Sequence, residues 1–158
     1  MPQSSLLALR AELPLAEREG YKLLRRECFG DGRMNKYPSR SVRTTRWKYI
    51  RNLRPDAEHH THIDRGESID GNDYWHSWIE RAESDALARR IVDRYFRRPV
   101  EELYDLERDP HEQHNFAADS DFNLPLGLSR EMLDAWMKQQ GDEGLATEES
   151  VAEAFKPE

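Results

Sequence analysis

A chain of 158 residues, 37% hydrophobic and 35% charged, forms one ordinary domain at most, with a core that is small or shared with a partner. A net charge of -7 argues against nucleic acid as a partner of the whole chain. No apolar run approaches bilayer length, the first residues lack the basic-then-apolar order of a signal peptide, and the lone Cys28 excludes an internal disulfide or a cysteine-based zinc site, leaving the compartment open.

In chain order, residues 1–27 carry two leucine-bearing segments separated by Pro14, with Leu6, Leu9 and Leu13 in one and Tyr21 and Leu24 in the other, and both read as short helices. From Arg33 to Arg54 there are eight Lys/Arg and no Asp/Glu, a basic block that can bind an anion locally or serve as the solvated face of a hairpin. Within it, SVRTTRWKYIRNL has aromatic and β-branched residues at period two around a turn at Thr45-Arg46, which predicts a β-hairpin closed by Pro55. Asp56 to Asn72 reads as a long loop with three histidines.

From Asp73 the spacing becomes helical, with Tyr74, Trp75, Trp78 and Ile79 on one face. A second helix capped by Ser84 is expected to bury Leu87, Ile91, Tyr95 and Phe96 before Pro99. Glu102 to Leu106 reads as a strand stopped by Asp109-Pro110, and Ser129 as the cap of a last helix burying Met132, Leu133, Trp136 and Met137 until Gly141. The fold class is α+β: a small antiparallel sheet, hairpin plus one further strand, packed with helices. The acidic residues 142–158 are expected to be a flexible tail.

The run YPSRSVRTTRWKYIRNLRP, followed by EELYDLERDPHEQHNFA, resembles the carboxy-terminal region of type I sulfatases, most closely the heparan N-sulfatase (sulfamidase, N-sulfoglucosamine sulfohydrolase) branch. Tyr37-Pro38-x-Arg40, the basic hairpin, Glu102-Leu103-Tyr104-Asp105, Asp109-Pro110-x-Glu112 and Asn115 come in that branch's order. The resemblance covers about residues 35–141, and implies a poorly matched segment 1–32, a subdomain 33–141 of the sulfatase/alkaline-phosphatase-like fold, and the tail. With a cysteine or serine at Lys36, the stretch KYPSR would imitate the nucleophile segment of such enzymes. The residues after it match the carboxy-terminal region instead, so Lys36 is no lost nucleophile.

The resemblance implies hydrolysis of a sulfate ester or sulfamate of a sugar by a formylglycine assisted by calcium, both supplied by a larger catalytic domain that is the expected partner; neither is expected in this chain, which would be inactive alone. By position, Asn35, Tyr37 and Arg40 would lie near the substrate-pocket mouth, and His62 would face the sulfated saccharide. The Arg40 fork suits a sulfate or carboxylate; its other reading is a salt bridge fixing the hairpin to the missing catalytic domain. His59, His60, His62 and Asp64 lack a second group at metal-ligand spacing, Asp70, Asn72 and Asp73 lack the spacing of a calcium loop, and adjacent Glu101 and Glu102 face opposite sides of a strand.

The rival to a sulfatase region is a non-enzymatic binding module for sulfated glycans or other polyanions, built on the basic block. Nucleic-acid binding ranks third, since alternation splits that block between two faces. The hairpin and the Trp75/Trp78 face are expected to expose apolar surface meant for a partner, so self-association, a homodimer included, is expected of the isolated chain.

Overall fold

The computed structural model describes residues 37–65 and 69–154, in two compact units. The first comprises Arg40–Arg51 and the described residues from Glu101 onward; the second comprises Asn52–Val100 with residues 37–39.

The first unit is built on a three-stranded sheet ordered β1 (Ser39–Arg43), β2 (Trp47–Asn52) and β3 (Glu101–Asp105). The hairpin turns where the sequence predicts it: Thr44 N donates to Trp47 O at 2.8 Å, and Trp47 N donates to Thr44 Oγ1 at 2.8 Å. β2 and β3 pair antiparallel with Trp47 opposite Asp105, Tyr49 opposite Leu103 and Arg51 opposite Glu101, although the whole second unit separates them in sequence. The strand begins at Glu101, one residue before the expected start, because Arg51 is there to pair with it. Tyr49 and Leu103, fully buried, join Val42 and, from the long helix, Leu126 and Leu133 in the core. Phe116, Phe122 and Trp136 pack around them.

The other edge of β3 is closed by the loop that follows it. Asn115 Oδ1 accepts from Leu103 N at 2.8 Å, its Nδ2 donates to Glu101 O at 3.0 Å, and Phe116 N donates to Leu103 O at 2.8 Å. The Glu-Leu-Tyr-Asp…Asp-Pro…Asn series therefore works as an edge-sealing device, removing unpaired backbone groups that would template association. The intervening turn places Glu112 at φ 55, where Lys48 holds its carboxylate at 2.6 Å.

In the second unit, α2 (Ile69–Ser84) and α3 (Ala86–Phe96) are the two expected helices, while α1 (His62–Arg65) and the first residues of α2 replace part of the expected long loop. Thr61-His62-Ile63-Asp64 is a capping box: Thr61 Oγ1 accepts from Ile63 N at 3.2 Å and Asp64 Oδ1 accepts from Thr61 N at 2.6 Å. The cap of α3 is Asp85, not Ser84, which ends α2. Asp85 has extended backbone and takes the Leu87 and Ala88 amides on one oxygen, at 2.9 and 3.2 Å. The face of α3 is the expected one only in part: Tyr95 and Phe96 pack against the core of the unit, but Ala88 and Val92 are buried in place of Leu87 and Ile91. Ala88 and Val92 are buried with Trp75 and Ala82, while Leu87 is 57% exposed. Trp75 is buried, whereas Trp78 and Ile79, expected on the same face, stand 40% and 39% exposed.

The last long helix, α4 (Asn123–Gln140), begins six residues before Ser129, which lies buried in its interior and is no cap. Pro125 is tolerated there because first-turn amides need no intrahelical acceptor. Gly141 ends it with φ 65, as expected. Beyond it, α5 (Leu145–Ala154) occupies much of the segment expected as a flexible tail. No helix among the described residues is long and apolar enough to cross a membrane.

Candidate functional site

Arg40, on β1, is 6% exposed. Its fork is filled from its own chain: Nε and Nη2 grip the Asp142 carboxylate, the second contact at 3.1 Å, and Nη2 also reaches Glu148 Oε1 at 2.8 Å. Burial opposes the charge on both partners. The hydrogen bonds between them more than offset it, holding the Asp142 carboxyl below and the Arg40 guanidinium above their ordinary values. The Gly144 amide adds a further bond to Asp142 at 2.8 Å. Arg40 is thus salt-bridged within its own chain, to the acidic segment after α4, and not to the missing domain that the salt-bridge reading invoked.

The rest of the basic block is engaged in the same way. Arg46 clamps the buried Asp105 at 2.8 Å, Lys48 holds Glu112, Arg51 holds Asp134 at 2.6 Å and Arg54 stands 3.5 Å from Asp56. Arg43 alone of the block's described cations has no ion pair among the described residues.

Glu101 and Glu102 do divide between two sides of the strand. Glu101 Oε1 accepts from Tyr49 Oη at 2.5 Å and from Arg130 Nε at 2.7 Å, whereas Glu102 takes the Tyr104 hydroxyl. The Arg130 bonds are the largest influence on the Glu101 carboxyl, which lies below its ordinary value.

Of the remaining sequence-predicted positions, Tyr37 and His62 fall in the second unit. Asn35 lies outside the described residues, and His62 opens α1. Tyr37 sets its ring edge-on to His59 at 5.3 Å, and His59 meets Tyr95 at 4.9 Å. Beneath them Asp64 accepts three hydrogen bonds, from Thr61 N, from Tyr95 Oη at 2.8 Å and from the His60 ring at 2.6 Å. Burial pushes the Asp64 carboxyl up, but these bonds outweigh it and leave the pKa lowered. Thr61 Oγ1 and Tyr95 Oη are 2.7 Å apart, closing the network. The cluster brings Tyr37 to the start of the histidine segment that includes His62, which the sequence places 25 positions away. Asp64 as the organiser was readable as a Thr-x-x-Asp box; Asp142 and Glu148 carry no comparable local signal.

No protein-family model matches the chain. Two curated relatives align with it: an ulvan-active sulfatase of Formosa agariphila, 38% identical over 108 residues, 67% of this chain, and a second of the same description and organism, 33% identical over 106 residues, 66% of this chain. The chain spans only 18% and 17% of the length of these two proteins. Over about two thirds of its length, then, the chain is related in sequence to sulfatases, in keeping with a sulfatase carboxy-terminal region.

Proposed function

We propose that this chain is the carboxy-terminal region of a sulfatase-type hydrolase acting on a sulfated polysaccharide, and that it supplies packing and part of the substrate pocket. The observation that carries this reading is the alignment with two ulvan-active sulfatases over about two thirds of this chain, joined to the small share of those proteins that it spans. In this reading the nucleophile and the calcium ligands are contributed by a catalytic domain outside these residues, and the chain by itself does not hydrolyse substrate. Asn35, Tyr37 and His62 form the part of the pocket wall that it contributes. Arg40, its fork filled by Asp142 and Glu148, anchors β1 to the segment after α4 and acts on the pocket through position.

The substrate is a sulfate ester of an ulvan-type polysaccharide; a sulfamate sugar, the substrate of the heparan N-sulfatase branch, is the second to assay. Sulfate release is to be measured with the chain alone and with the chain joined in one polypeptide to a sulfatase catalytic domain. Activity only in the joined protein, with KM raised and kcat held in Tyr37→Ala and His62→Ala, is the expected result. Unchanged KM in both variants refutes the pocket-wall role. Sulfate release by the chain alone refutes the division of labour.

A further inference from the structure

Between α2 and α3 of the second unit lies an open cavity of about 410 Å³, a size typical of small-ligand sites. Trp78, Ser77 and Arg81 of α2, Asp85 of the connection, and Leu87 and Ile91 of α3 line it. Ala88 also lines it and belongs to the buried set with Trp75, Ala82 and Val92, whereas Trp78 and Leu87 stand 40% and 57% exposed.

The polar part of the groove is fixed in place. Asp85 is held by the Leu87 and Ala88 amides on one oxygen, and its other oxygen accepts from Arg81 Nε at 3.0 Å. Arg81 is 70% exposed at its side chain, so its terminal amino groups are open to solvent at the rim. A guanidinium donor and a carboxylate acceptor therefore sit side by side next to an open indole, and their charges cancel. A simple anion at this place meets the Asp85 charge, and a purely apolar segment leaves the ion pair without hydrogen-bond partners. A ring with an apolar C–H face and neighbouring hydroxyls satisfies all three groups, since the electron-rich indole face attracts polarised C–H bonds while the pair both donates to and accepts from hydroxyls.

We propose that this groove is a saccharide-binding site that takes an uncharged pyranose unit of a glycan chain, stacked on Trp78 with its hydroxyls on Arg81 and Asp85. The site belongs to this chain and performs no chemistry, so it stands or falls independently of the hydrolytic role proposed above. The test is titration of the full chain with a panel of uncharged oligosaccharides and their sulfated counterparts, by calorimetry and saturation-transfer NMR. At least one uncharged member binds with Kd on the order of 1 mM or tighter, with affinity insensitive to salt. Trp78→Ala weakens it about tenfold, Trp78→Phe keeps most of it and Arg81→Gln weakens it without loss of helicity. Binding of no panel member, binding confined to sulfated members and abolished by salt, or affinity unchanged in Trp78→Ala each overturns the proposal. Both positions are exposed, and circular dichroism of each variant verifies the fold before titration.

Discussion

Replacing Arg40 by Leu separates an anchor from a pocket contact. The guanidinium is 5% and the Asp142 carboxylate 6% exposed at their side chains, so the substitution leaves a buried carboxylate without its counter-ion. Breaking a buried pair by removing one partner costs about 3–5 kcal/mol. Two features place this case at the lower end, about 3 kcal/mol: the Gly144 amide still donates to Asp142, and Glu148, 29% exposed, regains water. For a chain of this size that is a fall in Tm of roughly 6–12 °C. Urea denaturation of the isolated chain, followed by circular dichroism, reads it directly. The double variant Arg40→Leu/Asp142→Leu removes the stranded charge and recovers part of the loss. A single variant within about 0.5 kcal/mol of the parent, the range of ordinary surface substitutions, refutes the anchor and returns Arg40 to the pocket mouth.

Leu133→Ala, at a site 1% exposed, costs about 2–5 kcal/mol by denaturant midpoint, while Leu87→Ser, at a site 57% exposed, stays within about 0.5 kcal/mol; comparable losses refute the assigned faces. Asn115→Ala strands the amide of the buried Leu103 and costs about 1 kcal/mol, the low end for a lost partner, because Asn115 is itself exposed and water can enter; hydrogen exchange at the Leu103 amide must accelerate. Acid weakens the fold. The folded carboxyls of Asp64, Asp105 and Asp142 lie below their ordinary value of 3.8 and that of Glu101 below 4.5, so their contribution is complete above those values and is lost as pH falls through the lower folded ones. A urea midpoint that rises on acidification from about pH 6 to about pH 3 refutes this.

Much of the architecture was legible because it is local. The alternation around Thr45-Arg46 specifies the hairpin, Gly141 the end of α4, and Leu133 with Trp136 and Met137 the helix face that packs on the sheet. The ordered motif from Tyr37 to Asn115 carried the relationship to sulfatases, since it records backbone requirements such as the Asn115 edge seal that a short run can encode. The start of α3 was misjudged because Ser84 and Asp85 cap equally well on paper, and the choice falls to Asp85, whose backbone is extended; α4 starts after Phe122 with no side-chain cap to mark it.

What only the tertiary structure decided is which charges meet. Along the chain, the block from Arg33 to Arg54 reads as an unopposed basic surface, with Asp142 and Glu148 as part of a solvated acidic tail. Folding brings Arg40 to those carboxylates across 102 and 108 positions, Arg46 to Asp105 across 59, and Arg51 to Asp134 across 83. A Coulomb interaction depends on distance in space and on exclusion of water, and neither is a function of sequence separation.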